Sequence, residues 1–259
     1  MSDPFSLAGK VAIVTGSSRG IGFATARLLA QQGAHVVISS RKADACKAAV
    51  EALAAEGLSA IAAPAHAADK ADFEWLVARA LKEWGRIDIL VANAGVNPVF
   101  APLDALQTAA WAKTFDTNVT GPWQLANMVL PHIAAQGGGA IVFVSSVNAD
   151  AAVQGAAAYG PSKAALNALM RQFAVEWGGR NVRINAVAPS TTRTDMIRAL
   201  TEHPGFTEAV ARRTPLGRIA EPEDIAGPIA FLASDAARHL TGQIITIDGG
   251  EGISRAHTD

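Results

Sequence analysis

A doubly wound α/β fold, about seven parallel strands with helices on both faces, is predicted by three features of the sequence. Short apolar runs alternate with helical stretches along the whole chain. The first run ends in a glycine-rich loop that opens a helix, Thr15-Gly16-Ser17-Ser18-Arg19-Gly20-Ile21-Gly22. Half of the residues are hydrophobic, as strands covered on both faces require.

Lys10–Thr15 is the first expected strand, and a helix over Gly20–Gln32 follows, with Gly33 as its stop. His35–Ser39 is the second strand. A helix over Ala43–Glu56 ends at Gly57. Ser59–Ala63 is a weaker strand, Lys70–Trp84 a helix that Gly85 closes, and Ile87–Ala92 the fourth strand. A long helical region spans Gln107–Gln136, where Pro122 and Pro131 predict a bend or break. Ala140–Ser145 is the fifth strand, Ala157–Trp177 a helix and Asn181–Val187 the sixth strand. Thr191–Leu216 is less regular. Pro222–Ala233 opens with proline in a first helical turn, and Gln243–Ile247 is the last strand. No linker or repeat interrupts the pattern, so residues 1–259 are read as one domain, with a substrate lid at about 190–216.

The single cysteine, Cys46, has no intramolecular partner, and a reducing cytoplasm is the expected location. A net charge of −1 with mixed signs gives no footprint for nucleic acid. The first residues, MSDPFSLAGK, lack the basic and apolar regions of a signal peptide. No apolar run approaches the ~20 residues that span a membrane. No metal site is expected.

In open α/β sheets, ligands lie beyond the carboxyl ends of the strands. The glycines at 16, 20 and 22 allow a tight turn and close backbone approach to a pyrophosphate, and the helix start supplies free N–H groups. Tyr159 and Lys163 stand four apart, on one face of a helix. An ammonium beside a phenol favours phenolate and tunes it for proton transfer. Tyr159 is the only tyrosine, so its hydroxyl matters more than its ring. Ser145 and Ser146 both end the fifth strand, and either hydroxyl could bond a substrate carbonyl.

With these residues in view, the sequence resembles the short-chain dehydrogenase/reductase family from about Gly9 to Gly250. The glycine loop, Asn93-Ala94-Gly95, Asn118-Val119-x-Gly121, Ser146, Tyr159-x-x-x-Lys163, Thr241-Gly242-Gln243 and Asp248-Gly249-Gly250 occur in the family's order. The resemblance implies a Rossmann-type domain in which Tyr159 is the general acid or base. It gives Lys163 the nicotinamide ribose and the lowering of the Tyr159 pKa, and Ser146 the orientation of the substrate. Asn118 would hold a water in a proton relay to Lys163. Gly16, Ser18, Arg19, Gly20, Ile21, Gly22, Asn93, Ala94, Gly95, Pro189, Thr192 and Thr194 would line the cofactor cleft with Tyr159 and Lys163.

Two departures stand out. Ser190 replaces the glycine that usually follows Pro189, which strains the backbone if φ must be positive there. His66 stands where an aspartate usually faces the adenine.

At the end of the second strand, where NAD-specific relatives place an acid, this chain has Ser40 and then Arg41. Arg41, with Arg19 and Lys42, suits a 2′-phosphate, so NADP(H) is the expected cofactor. Ile38-Ser39-Ser40-Arg41-Lys42, Gly57-Leu58-Ser59 and Asn93-Ala94-Gly95-Val96-Asn97-Pro98 are similar to the peroxisomal NADPH-dependent retinal and carbonyl reductases. The C-terminus, Ala256-His257-Thr258-Asp259, lacks their Ser-Lys-Leu-like address. The 3-oxoacyl-[acyl-carrier-protein] reductases are similar too, and Arg180 matches one of their two docking bases while Gly137 replaces the other.

The implied reaction is hydride transfer between NADP(H) and a carbonyl or secondary alcohol. A 3-oxoacyl thioester reductase is the alternative, and a non-catalytic dinucleotide-binding protein a remoter one. Asn148, Gln154 and Met196, with Val96 and Asn97, are the candidate substrate wall. A homotetramer is what the resemblance implies for assembly.

Overall fold

A computed structural model describes residues 3–254, so Ala256–Asp259 lie outside the described residues. Seven parallel strands form one sheet in the order β3-β2-β1-β4-β5-β6-β7. They are β1 (Val11–Thr15), β2 (His35–Ser39), β3 (Ala60–Ala62), β4 (Ile89–Ala92), β5 (Gly139–Val144), β6 (Val182–Pro189) and β7 (Ile244–Ile247). The principal helices are α1 (Gly20–Gln31), α2 (Ala43–Ala55), α3 (Lys70–Trp84), α4 (Thr108–Phe115), α5 (Gly121–Ala135), α6 (Tyr159–Trp177), α7 (Arg198–Thr201), α8 (Phe206–Arg213) and α9 (Pro222–Ala233). No described helix is long and apolar enough to cross a membrane.

Alternate residues of each strand feed two apolar layers. Ile13, Val37, Leu90, Ile141 and Phe143 face the side covered by α3, α5 and α6. Ala12, Val14, Val36, Ile38, Val142 and Val144 face α1, α2 and α9. Each such Val, Ile or Phe contributes about 1.5–3 kcal/mol by leaving water. The sheet is thereby anchored on both faces, and the loops at its carboxyl edge are free to carry chemistry.

Four boundaries differ from the sequence reading for identifiable reasons. The fourth strand starts at Ile89 because Asp88 is a buried anchor: its carboxylate accepts from Val11 N (2.9 Å) and from Arg86 Nε (2.8 Å). The sixth strand runs on to Pro189, in register with Ile247. Proline is tolerated there because Ser190 N, one residue later, donates to Ile247 O (3.0 Å). Helix α6 begins at Tyr159 rather than Ala157, because Ala157 has φ +46° and cannot continue a right-handed helix. The region expected to bend at its prolines is α4 and α5 joined by one π-helical turn, Asp116–Thr120. That wider turn relieves the clash Pro122 would make with the carbonyl four residues back.

Candidate active site and cofactor cleft

The strand order reverses between β1 and β4, and the crevice there is shaped by the residues that end these two strands. Thr15 ends β1 with its Oγ1 accepting from the backbone N–H groups of Asn93 (3.1 Å) and Ala94 (3.0 Å). The Asn93 carboxamide donates to the carbonyls of Thr15 (2.8 Å) and Gly16 (3.2 Å). Asn93, expected to line the cofactor cleft, therefore has its side-chain donor engaged in shaping the glycine loop. Two glycines are obligatory beside it. Gly16 has φ +65°, and a Cβ on Gly22 would sit 2.4 Å from Gly16 O and 2.6 Å from Asn93 Nδ2.

Ser17, which sequence reasoning passed over, is fully buried and clamps the loop to β2. Its Oγ donates to Val14 O (2.6 Å) and accepts from Ser39 N (2.9 Å). Arg19 precedes α1, whose first turn has no side-chain cap and no acid. Its N–H groups and positive dipole end are open to an anion, while Ser18, Gly20 and Ile21 line the turn. The loop thus fits a pyrophosphate by its own geometry.

At the end of β2, Ser40 N donates to the fully buried Cys46 Sγ (3.2 Å), which makes the thiol a brace for this turn. Arg41 and Lys42 are exposed, and no acid pairs with either among the described residues. Arg19, by contrast, is paired: its Nη1 donates to Asp195 Oδ2 (2.7 Å). His66 caps the turn before α3, accepting from Ala68 N at Nδ1 (3.2 Å) while its own N–H donates to Asp72 (2.7 Å).

The proton-transfer candidates converge at the neighbouring strand ends. Asn118 sits in the π-helical turn and is fully buried. Its Oδ1 accepts from Val96 N (2.8 Å), and its Nδ2 donates to Val96 O (2.9 Å) and Ser162 Oγ (3.0 Å). Ser162, a second residue that sequence reasoning did not single out, passes the chain on to Tyr159 O (2.7 Å). The Y-x-x-S spacing, one helical turn, was its only sequence signal. Gly121 lets this turn approach Ala67, whose carbonyl lies 1.8 Å from where a Cβ would stand.

Lys163 is 3 % exposed and donates from Nζ to Val144 O (2.7 Å), just before the two serines. Its Nζ and Asn118 Oδ1 crowd the same glycine: a Cβ on Gly95 would lie 3.3 and 3.4 Å from them. Ser146 Oγ accepts from Asn148 N (3.1 Å) and interacts with the Tyr159 hydroxyl. Ser145 points away, donating to Lys163 O (3.4 Å). Of the two serines, Ser146 is thus the candidate on the side of the phenol.

One electrostatic expectation is corrected. Lys163 Nζ lies 5.6 Å from the Tyr159 ring centre, yet the Tyr159 pKa is raised. Burial of the phenol dominates, and the Ser146 hydrogen bond only partly offsets it. The Lys163 ammonium itself is brought down to about 8 by burial. Desolvation here outweighs the tuning that the four-residue spacing predicted.

The remaining candidates lie around the rim. Thr192 is buried with its Oγ1 on Ser190 O (3.0 Å), and Thr194 Cγ2 rests 3.3 Å from where a Cβ of Gly20 would be. Ser190 is not at positive φ, since Ala157 and Asn181 are the only described non-glycine residues that are, so the departure there carries no strain. Asn148 adjoins Ser146 through its backbone, whereas Gln154 and Met196 are exposed and no hydrogen bond joins them to the site.

This geometry has counterparts in known proteins. A short-chain dehydrogenase family model, described as enoyl-(acyl carrier protein) reductase, matches residues 16–251. The chain is 43 % identical over 244 residues to dehydrogenase/reductase SDR family member 4 of Homo sapiens, covering 94 % of this chain and 88 % of that one. A gluconate 5-dehydrogenase from Burkholderia cenocepacia, solved with NADP and tartrate, superposes with a TM-score of 0.93 at 33 % identity, covering 98 % of this chain and 99 % of that one. A 7α-hydroxysteroid dehydrogenase complexed with NADH and 7-oxo glycochenodeoxycholic acid gives 0.92 at 34 % identity, covering 96 % and 97 %. With a family model matched over residues 16–251 and 43 % identity to a relative across 94 % of this chain, the chain belongs to the short-chain dehydrogenase/reductase family.

Proposed function

We propose that this protein is an NADP(H)-dependent reductase of carbonyl compounds, running in reverse on secondary alcohols. The observation that carries this reading is the convergence of Ser146, Tyr159 and Lys163 at strand ends next to a glycine loop whose helix start has no side-chain cap. NADP(H), when bound, supplies or accepts the hydride. The raised Tyr159 pKa keeps the phenol protonated at neutral pH, so in the reductive direction its Oη is ready to donate to a substrate oxygen. Ser146 Oγ holds that same oxygen. Lys163 braces the cofactor ribose and, through Asn118, connects the phenol to a water-borne proton path. Arg41 holds the 2′-phosphate from the end of β2.

Residues 190–216 are the substrate lid of a single-domain enzyme. Met196 and Leu200 present exposed apolar surface there, which suits a substrate with an apolar body. The similar proteins act, by their names, as dehydrogenases or reductases, and the two solved ones carry an NADP or an NADH. Fold likeness alone therefore does not choose the cofactor, and the absence of an acid at Ser40 does. The fully buried, unpaired thiol of Cys46 suits a reducing compartment, and we place the protein in the cytoplasm; cell fractionation that recovers it elsewhere would overturn that placement.

The test is Tyr159→Phe, assayed with a panel of ketones and secondary alcohols. The variant should fold and bind cofactor as the parent does, while kcat falls at least about 100-fold, the lower end for a lost general acid. Turnover close to wild type would remove Tyr159 from the mechanism.

A further inference from the structure

The ion pair between Arg19 and Asp195 joins two segments that the cofactor must meet. Arg19 belongs to the glycine loop after β1, and Asp195 to the segment after β6. Asp195 also accepts a second guanidinium, from Arg198 at the start of α7. A cleft of about 490 Å3 opens here, lined by Arg19, Gly20, Thr194, Asp195 and Arg198 among others. Its far side is tied down by Arg193 Nε donating to Glu221 Oε1 (2.9 Å).

The sheet order gives this pair a direction. β2, which Ser40 and Arg41 follow, lies on one side of β1, and β4, β5 and β6 lie on the other. Pairing with Asp195 draws the Arg19 guanidinium toward the β6 side. A 2′-phosphate at Arg41 sits on the β2 side. The 70 % exposed Arg19 side chain is free to swing, whereas the Asp195 side chain is only 28 % exposed and stays partnered by Arg198 when Arg19 leaves.

We propose that Asp195 is a positioning residue for cofactor choice: it competes with the 2′-phosphate for Arg19 and so weakens the preference for NADPH over NADH. This inference rests on the reading that the 2′-phosphate lies at Arg41. Its consequence is a built-in coupling between cofactor and lid. A cofactor with the phosphate withdraws Arg19 from Asp195 and frees the segment at 194–198, while one without it leaves the tie in place.

The experiment is a double-mutant cycle of Asp195→Asn and Arg19→Ala, with dissociation constants for NADPH and NADH measured by fluorescence titration at low ionic strength. Asp195→Asn should raise the NADPH preference by about two- to fivefold, the upper part of what an exposed ion pair controls. In the Arg19→Ala background the same substitution should leave the ratio unchanged. An Asp195→Asn ratio equal to or below wild type would overturn the inference. So would an increase that persists without Arg19, since that would be bulk charge acting through space. A wild-type protein with no NADPH preference would instead remove the reading at Arg41, and this inference with it.

Discussion

Lys163 should make the stability of the unliganded protein rise with pH above neutrality. It is 3 % exposed, its ammonium has one carbonyl acceptor at 2.7 Å, and no acid pairs with it among the described residues. Its pKa in the folded protein is lowered to about 8 from 10.5. Between those values the unfolded chain carries a proton that the folded chain has released, so raising the pH favours folding. The penalty for burying the charge is fully present below pH 8 and relieved as the pH approaches 10.5. The tyrosine acts in the opposite sense, but only above pH 10, where an unfolded tyrosine ionises and the buried Tyr159 does not. From pH 7.5 to 9.5 the lysine contribution alone amounts to about 2 kcal/mol. The perturbation is Lys163→Met, which keeps the aliphatic stem and removes the titrating group. Urea unfolding of the cofactor-free protein at pH 7.5, 8.5 and 9.5, at one protein concentration, gives the difference between parent and variant. That difference should shift by about 2 kcal/mol in favour of the parent across the range. Parallel pH dependences would show that the ammonium is not desolvated, and the account of Lys163 as a cation penalised by burial would fail.

Arg41→Ala should erode most of an NADPH preference of at least about tenfold in kcat/KM, through KM for NADPH, with NADH nearly unaffected; steady-state kinetics showing equal efficiency in the parent, or NADH preferred, would refute it. A homotetramer is expected in solution, its two-fold contacts formed by α4–α6, where Trp111, Trp123 and Val175 are exposed, and by the β7 edge. Light scattering that finds only monomer at micromolar concentration would contradict it.

The sequence made most of the fold readable because β2, α3 and α9 are short segments bounded by their own signals, such as Gly85 closing α3 and Pro222 opening α9. It failed where tertiary contacts overrule local pattern. Nothing in Asp116–Thr120 announces a π-helical turn, which exists because Asn118 must reach both Val96 and Ser162 while Gly121 packs on Ala67. The candidate proton-transfer residues could be proposed as a set because Asn118, Ser146, Tyr159 and Lys163 occur with the residue types and spacing of the family's motifs. Ser17 and Ser162 were not, since a serine that clamps backbone carries the same letter as a solvated one. The Arg19–Asp195 pair joins residues 176 positions apart and has no local signature at all.

The same contrast explains why the substrate is harder to read than the cofactor. A phosphate is recognised by fixed charges at strand ends, and a single position such as Ser40 can admit or exclude it. The solved relatives show how little the scaffold constrains the other half of the site: one was crystallised with tartrate and another with a bile acid derivative, on sheets that superpose equally well on this one. In residues 190–216, Met196, Leu200 and Leu216 are 48 %, 38 % and 69 % exposed and thus unconstrained by the core, and we propose that substrate choice resides in this segment. Core packing holds Ser146, Tyr159 and Lys163 in place whatever the lid contains. On this proposal chemistry and cofactor are properties of the sheet edge, and substrate choice is a property of the segment that follows β6.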